Sequence, residues 1–293
     1  MRKIGIIGSD NFHASAFSRL CNIPDENGLY LYDDIKITAI CTDGDDIEHA
    51  KEIAEKFDIG TVFDNPEHMF GKVDAVMIMH RIGGKHIPCA LPFIERGYPL
   101  WIDKPVASSV EDVELLKDVC EKYNPLIMGG STLKYNPEVL SVKEKIENGF
   151  FGDIRGGSLN FQGNLHSEYD GLYFYGSHLI EEALAIFGYD VKSVFATNVG
   201  DDKITVLIKY DDFIIVLNYL DKVNKYFIVV NGSSQSEVTQ MDISNIYKCG
   251  FDEFVKMLRS GKSLQTVNEM IKPVYIIDSI YKSLQKRSEI ILN

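Results

Sequence analysis

Residues that could bind a phosphate group follow the first apolar segment of the chain, residues 4–7. Dinucleotide-binding proteins have a glycine-rich turn at this place, with the pattern G-x-G-x-x-G. Here the six positions read Gly8, Ser9, Asp10, Asn11, Phe12, His13. Asp10 and His13 therefore replace the second and third glycines, and Asp10 adds bulk and negative charge beside a diphosphate. We predict that residues 8–11 contact a dinucleotide; the alternative is that Asp10 or Asn11 only caps the helix that follows.

A carboxylate that could bind the ribose of adenosine follows the second apolar segment, residues 35–41. Asp43 is the candidate. Neither Arg nor Lys lies in the tip around it, so a ribose 2′-phosphate would be repelled. The sequence therefore favours NAD over NADP as cofactor. The alternative is that residues 43–46 only cap the next helix.

A third candidate, Lys104, precedes Pro105 at the end of the apolar run 100–102. In an open parallel sheet this position places an ammonium group at the carboxyl edge, where ligands bind. The alternative is a solvated lysine on a loop.

The elements that carry these residues are short apolar runs alternating with segments of helical periodicity. The predicted buried strands are residues 4–7, 35–41, 61–63, 75–79, 100–102 and 126–128. Strands alternating with helices indicate βαβ units and a doubly wound parallel sheet, a Rossmann-like α/β fold.

The pattern changes after about residue 130. The next strand candidates follow one another with short turns: 158–162, 191–197, 204–210, 213–220, 226–231 and 237–241. One helix, predicted over residues 176–187, interrupts them, and helices return near the end of the chain. This order predicts an open, mainly antiparallel sheet and an α+β domain. We therefore divide the chain into domains at 1–130 and 131–293.

Composition excludes several classes of partner. The 293 residues contain 30 Lys and Arg against 43 Asp and Glu, a formal net charge of −13. A field of this sign repels nucleic acid, and no basic run would attract an anionic membrane. Five scattered cysteines without a CxxC pair predict reduced thiols, and we expect a cytoplasmic protein.

Landmarks spread over nearly the whole chain carry a resemblance to a known family. They are residues 4–8, the Val-Asp-Ala-Val run at 73–76, Asp103-Lys104-Pro105, Tyr135-Asn136-Pro137, Gly152-Asp153-Ile154 and Gly176-Ser177-His178. In order and spacing the chain resembles the Gfo/Idh/MocA family of oxidoreductases, which is named for glucose–fructose oxidoreductase and inositol dehydrogenase.

The resemblance implies an NAD(P)-binding domain at 1–130 and a domain at 131–293 for substrate binding and oligomerisation, with the active site between them. It also implies hydride transfer between nicotinamide and a hydroxyl of a sugar, polyol or cyclitol. Lys104 would hold the substrate hydroxyl, and His178 would be the acid–base group, for which a histidine is suited because its ordinary pKa lies near working pH.

Two stretches depart from the family pattern. The family usually has an aspartate four residues before the histidine, and Phe174 stands there. Tyr173 or Tyr175 could supply a hydroxyl for the substrate instead, or both could only pack. The loop after the fourth strand also differs, and we hypothesise that Arg81 or Lys85 offsets the charge of Asp10 near a bound diphosphate.

We expect no metal site, because His178, Glu181 and Glu182 lack a further clustered ligand and the two glutamates fit a charged helix surface. Three functions stay open: an NAD-dependent dehydrogenase, a non-catalytic cofactor- or ligand-binding protein, and nicotinamide-assisted glycoside chemistry. Because residues 213–217 are apolar on both strand faces, we also predict a homodimer or higher homo-oligomer joined through this sheet.

Overall fold

The protein is described by a computed structural model that covers residues 1–44 and 46–292. Contacts divide it into two compact units. The first contains Met1–Ala107, Glu111–Gly129 and Phe251–Met270, and the second contains Ser108–Val110, Gly130–Gly250 and the chain from Ile271 onward. No helix of the described residues is long and apolar enough to span a bilayer.

The first unit is built on a six-stranded, all-parallel sheet. Its strands are Arg2–Ile7 (β1), Ile35–Cys41 (β2), Thr61–Phe63 (β3), Ala75–Ile78 (β4), Leu100–Ile102 (β5) and Ile127–Gly129 (β6). Their order is β3-β2-β1-β4-β5-β6, and every neighbouring pair is parallel. This is the strand order of a Rossmann fold, in which the switch point lies beside β1. The prediction of a doubly wound parallel sheet is confirmed.

Helices connect these strands: Phe12–Asn22 (α1), Ile47–Lys56 (α2), His86–Ile94 (α3) and Val110–Tyr123 (α4). All four residues of β4 and all three of β5 are buried, as expected for strands covered on both faces. The core of this unit also takes Phe251 and Phe254 from late in the chain, which pack with Phe17 and Trp101.

The second unit is built on a seven-stranded mixed sheet. Its elements in chain order are Pro137–Glu147 (α5), Ile154–Phe161 (β7), Leu172–Phe187 (α6), Ser193–Asn198 (β8), Lys203–Lys209 (β9), Ile214–Leu220 (β10), Phe227–Gly232 (β11), Ser236–Gln240 (β12), Ile246–Ser260 (α7), Val267–Lys286 (α8) and Ile290–Ile291 (β13). Helices α7 and α8 each contribute residues to both units. The sheet order is β12-β11-β7-β10-β9-β8-β13.

This second sheet is antiparallel except where β10 pairs with β7. Burial alternates along β9 and β10, so one face of the sheet lies in the core while the other stays partly exposed. The prediction of an open, mainly antiparallel sheet is confirmed.

Helix α6 begins four residues earlier than the predicted Gly176, at Leu172. The cause is a tyrosine from α8. The backbone N–H of Leu172 donates to the hydroxyl of Tyr281 at 2.7 Å, and that hydroxyl donates to the carbonyl of Leu165. The hydroxyl that accepts from the first turn of α6 lies 109 residues away in the chain. The local sequence therefore does not indicate where this helix begins.

Candidate functional site

Four of the predicted residues lie at the carboxyl edge of the parallel sheet. Gly8 follows β1, Asp43 follows β2, Arg81 follows β4 and Lys104 follows β5. Since β1 lies between β2 and β4 in the sheet, the chain ends that follow these three strands are neighbours. This edge is where an open α/β sheet binds its ligand.

Gly8 is required as a glycine by its own surroundings. Its φ is +96°, and a Cβ built on it would lie 2.6 Å from the backbone nitrogen of His80 and 2.8 Å from Nδ1 of the same residue. A side chain at this position would therefore collide with His80, whose imidazole is completely buried. The tight turn after β1 is retained even though the next two glycines are not.

Asp10 is held by the loop that follows β4. Its Oδ1 accepts a hydrogen bond from the backbone N–H of Arg81 at 3.0 Å. From the sequence we expect the charge of Arg81 or Lys85 to offset that of Asp10. The structure shows instead a hydrogen bond from the main chain of Arg81 to Asp10. The bond holds one carboxylate oxygen on that loop, which explains how an aspartate fits this turn.

Asn11, not Asp10, is the N-cap of α1. Its Oδ1 accepts from the backbone N–H of His13 at 3.2 Å. Its Nδ2 is buried without a hydrogen-bond partner among the described residues. A buried N–H donor left unpaired at a helix N-terminus suits an anionic ligand such as a phosphate. Ser9 beside it is fully buried.

His13, at the position of the third glycine, forms a buried pair with Asp103. Its Nδ1 lies 2.5 Å from Oδ2 of Asp103, whose side chain is only 1 % exposed. Burial alone would raise the pKa of Asp103, but His13 and Lys104 outweigh burial and hold this pKa below its ordinary value. The pair connects the turn before α1 to the Asp-Lys-Pro segment, and no local sequence pattern indicates it.

Lys104 is 2 % exposed, so the structure does not support the alternative of a solvated loop lysine, and the residue lies buried in the first unit. Asp103 provides the neighbouring negative charge that a buried lysine needs. A cis peptide bond joins Lys104 to Pro105.

Asp43 is engaged through one oxygen. Its Oδ2 accepts from the thiol of Cys89 at 2.9 Å and lies 3.3 Å from Nε2 of His80. The residue is partly exposed, and its Oδ1 has no hydrogen-bond partner among the residues that the structure describes, so this oxygen can still accept from a ribose hydroxyl. The residue that caps α2 is Asp46, because its side chain accepts from the backbone N–H groups of Glu48 and His49. Asp45, also covered by the capping alternative, lies outside the described residues.

In the second unit, His178 is oriented by a serine. Its Nδ1 lies 2.6 Å from Oγ of Ser131, which also accepts from the backbone N–H of Leu133 at 3.1 Å. Ser131 is fully buried and His178 is 7 % exposed. Ser131 thus fixes the imidazole ring, the task that the aspartate at the position of Phe174 would have. Sequence reasoning missed it because Ser131 lies 47 residues away.

Phe174 is nearly buried and packs against Tyr169 and Tyr175. Tyr175 is 38 % exposed, and its ring centre lies 6.4 Å from that of His178. Tyr173 packs against Tyr281 instead. Of the two candidate substrate contacts, Tyr175 is therefore the one placed beside the histidine.

The prediction that Glu181 and Glu182 belong to a charged helix surface is wrong. Both are buried, because α6 is enclosed over its central turns. Glu181 accepts from the backbone N–H of Ser131 at 2.8 Å and from Nζ of Lys134 at 2.9 Å. Glu181 therefore supports the serine that orients His178.

Glu182 is completely buried, and neither of its oxygens has a hydrogen-bond partner among the described residues. Burial, together with the charge of Glu181, raises the pKa of Glu182 well above its ordinary value. Burial therefore favours the neutral carboxyl group over the carboxylate.

The structure combines a Rossmann unit with a second, sheet-based unit. Residues 2–131 match the model of the GFO_IDH_MocA family, described as an oxidoreductase family with an NAD-binding Rossmann fold. This segment is less than half of the chain, and over it the chain is similar to an oxidoreductase family whose Rossmann fold binds NAD. No curated relative matches the chain by sequence.

Solved structures match over the full length. A myo-inositol dehydrogenase from Corynebacterium glutamicum has a TM-score of 0.85 at 15 % identity, covering 100 % of this chain and 99 % of that one. A putative myo-inositol dehydrogenase from Sinorhizobium meliloti has 0.84 at 15 %, covering 100 % of both. The scyllo-inositol dehydrogenase from Lactobacillus casei, solved with NAD(H) and scyllo-inositol, has 0.83 at 14 %, covering 99 % of both. At these identities the likeness establishes the fold.

The residues of the first unit fit NAD. The turn at Gly8 is intact, Asn11 offers an unpaired buried donor, and Asp43 keeps one oxygen available for a ribose diol. When bound, the cofactor supplies the acceptor or donor of a hydride.

Proposed function

We propose that the protein is an NAD-dependent dehydrogenase acting on a CH–OH group of a sugar, polyol or cyclitol. The observation that carries the proposal is the hydrogen bond between Ser131 and His178. An imidazole fixed at Nδ1 by a buried hydroxyl has a defined ring orientation, which proton transfer through Nε2 requires.

The roles follow from what each side chain can do. His178 takes the proton of the substrate hydroxyl during oxidation and returns it during reduction. Ser131 can accept from Nδ1–H both when the ring is a neutral base and when it is an imidazolium, because its oxygen has a second lone pair beside the one used by Leu133. Lys104 donates to the substrate oxygen and stabilises its developing negative charge.

The other predicted site residues have these roles in the proposal. Residues 8–11 bind the diphosphate, Asp43 binds the adenosine ribose, and Tyr175 contacts the substrate. Arg81 serves the cofactor indirectly, because its backbone N–H holds Asp10. The formal charge of −13 supports a small-molecule substrate over nucleic acid, and the five free thiols support a cytoplasmic location.

Self-association through the second sheet is also part of the proposal. Ile214 is 42 % exposed on the open face, and Val216 is partly exposed there too. A second copy of the chain would cover this face and make a homodimer or a higher homo-oligomer.

Calorimetric titration of the cofactor-stripped protein with NADH, then NADPH, is the first test. Micromolar binding of NADH is expected, with weaker binding of NADPH. A screen of polyols and cyclitols for NAD reduction follows, with His178→Gln expected to abolish turnover while NADH still binds. His166→Gln is the matched control, because His166 is 75 % exposed in the same unit.

The outcomes separate the three functions. NADH binding without turnover of any alcohol would favour a cofactor-binding protein that is not a dehydrogenase. Conversion of a glycoside without net change in NADH absorbance would favour nicotinamide-assisted glycoside chemistry. Absence of binding to either nucleotide would overturn the proposal.

A further inference from the structure

Three side chains of the first unit bring different ligand atoms to one point. Asp43 follows β2, His80 follows β4 and Cys89 lies on α3. Sγ of Cys89 lies 2.9 Å from Oδ2 of Asp43 and 3.6 Å from Nε2 of His80, and Nε2 lies 3.3 Å from that same oxygen. One sulfur, one nitrogen and one oxygen therefore form a triangle that a single ion could contact.

The triangle is close to that of tetrahedral zinc. Bonds of about 2.3 Å to sulfur and about 2.1 Å to nitrogen and oxygen place S and N about 3.6 Å apart, and N and O about 3.4 Å apart. The two edges that meet at His80 are 3.6 and 3.3 Å, so they already have these lengths. The edge between sulfur and oxygen is 2.9 Å, and it must lengthen by about 0.7 Å. A thiol proton shared by these two atoms explains the short edge.

The surroundings orient the histidine as a ligand. The backbone carbonyl of His80 lies 2.8 Å from Nε2 of His86, and Nδ1 of His80 lies 2.8 Å from the position that a Cβ on Gly8 would take. Its side chain is completely buried, while that of Asp43 is 32 % exposed. A fourth coordination position would therefore open beside Asp43, where water can enter.

We propose that Asp43, His80 and Cys89 form a binding site for one zinc-class divalent cation, with water as the fourth ligand. Thiolate, imidazole and carboxylate together suit Zn²⁺, whereas Mg²⁺ and Ca²⁺ prefer oxygen ligands alone. On binding, the Cys89 thiol gives its proton to solvent and the Asp43–Cys89 hydrogen bond is replaced by two bonds to the ion. The site shares Asp43 with the proposed cofactor site, but it uses Oδ2, whereas the proposal assigns Oδ1 to the ribose.

The state of the thiol without metal argues against other chemistry. Burial and the hydrogen bond to Asp43 raise the pKa of the Cys89 thiol. A protonated thiol is a poor nucleophile and is slow to oxidise, so a reactive redox cysteine is not supported. The raised pKa of Cys89 does not prevent metal binding, because a coordinated cation takes the place of the thiol proton and deprotonates the thiol outright.

The spacing of the three residues hid this site from the sequence. Asp43 and Cys89 are 46 positions apart, and His80 and Cys89 are nine apart on different elements. Only the order of the parallel sheet, with β2 and β4 on either side of β1, brings them together. The expectation of no metal site considered only the helix that carries His178.

The test uses the full-length protein after treatment with a chelator. Addition of Co²⁺ should produce thiolate-to-cobalt charge-transfer absorption that saturates at one equivalent and disappears when Zn²⁺ is added. Cys89→Ser should abolish the absorption, and Asp43→Asn should weaken Co²⁺ binding at least about tenfold. Cys249→Ser is the matched control, since Cys249 is another partly buried free thiol, and it should retain the full signal.

Zn²⁺ should also raise the melting temperature of the wild type and of Cys249→Ser, but not of Cys89→Ser. No cobalt absorption in the wild type, or equal absorption in Cys89→Ser, would overturn the proposal and leave the three side chains as a hydrogen-bonded cluster. If Cys89→Ser does not fold, Asp43→Asn decides the question, because its partly exposed side chain can be replaced without leaving a cavity. The metal measurements contain no nucleotide, so their failure is distinct from failure of the proposed function.

Discussion

The hydroxyl oxygen of Ser131 lies 2.6 Å from Nδ1 of His178, and the backbone N–H of the same serine donates to Glu181. A serine therefore connects the predicted acid–base group to a buried carboxylate.

Replacing Ser131 by alanine should impair turnover more than binding. The variant loses the hydrogen bond that fixes the imidazole, so kcat should fall by about ten- to a hundredfold, corresponding to about 1–3 kcal/mol. NADH affinity, measured by calorimetry, should stay within about twofold. Ser131→Thr keeps a hydroxyl and should recover part of kcat. Equal activity in Ser131→Ala and the wild type would show that this bond has no role in the reaction.

The negative charge of Asp10 should oppose cofactor binding. Asp10→Asn keeps the oxygen that accepts from Arg81 but removes the charge, so we expect NADH to bind about three- to tenfold more tightly. The difference from wild type should shrink as salt is raised, because screening weakens the repulsion. Asp10→Ala is the companion variant, which also loses the hydrogen bond. Unchanged affinity in Asp10→Asn would indicate that this carboxylate lies away from the diphosphate.

Asp103 should make folding stability depend on pH in the acid range. The pKa of Asp103 is lowered in the folded protein, chiefly by His13 with help from Lys104 and His86. The ionised Asp103 therefore stabilises the fold above the unfolded pKa of about 3.9, and this stabilisation is lost as the pH falls from there through the lower folded pKa. Denaturant unfolding at pH 6 and pH 3.5 should show this loss in the wild type and a smaller loss in Asp103→Asn. His13→Gln should cost about 3–5 kcal/mol at pH 6, because the buried Asp103 loses its closest charged partner. A His13→Gln variant as stable as wild type would contradict this account.

Glu182 should destabilise the protein as pH rises. Its pKa is raised by burial, so the folded state keeps a proton that the unfolded chain releases above about pH 4.3. Glu182→Met should therefore stabilise the protein, and the gain should grow by about 1.4 kcal/mol per pH unit from about pH 5 until the folded pKa is reached. Glu144→Met, at an accessible glutamate on α5, is the control. A gain that is equal at pH 4 and pH 7 would show that Glu182 ionises normally.

The open face of the second sheet should join copies of the chain. Light scattering at micromolar concentration should give at least twice the mass of 33.1 kDa. Ile214→Asp places a charge on this face and should dissociate the assembly, whereas Asp212→Asn, next to the strand, should not. A monomeric wild type would refute the prediction.

Much of the fold could be predicted because its signals are local. Burial on both faces made β5 a continuous apolar run, and the predicted bounds of β2 and β5 agree with the structure. The start of α8 has a local signal too, because Thr266 and Glu269 have the spacing of a capping box and each backbone N–H is bonded to the other side chain. By contrast, β13 has only two residues and depends on pairing with β8, which short-range patterns do not report.

The candidate site could be predicted only in part. Lys104 and His178 were found because they belong to short motifs in a recognisable order. Asp103, next to Lys104, contacts His13 across 90 positions of the chain. Ser131 contacts His178 across 47 positions. Chemistry-bearing residue types can be read from a sequence, but the hydrogen bonds that orient them form only after the chain has folded.

The contribution of α7 to the first unit has a consequence for how the protein is made. Phe251 and Phe254 pack with Phe17 and Trp101, so the core around β5 is incomplete until residue 254 has been synthesised. A nascent chain that carries all six strands of the parallel sheet still exposes this aromatic cluster to water. We therefore expect an emerging N-terminal segment to engage chaperones, and a gene fragment ending at residue 130 to give an aggregating product.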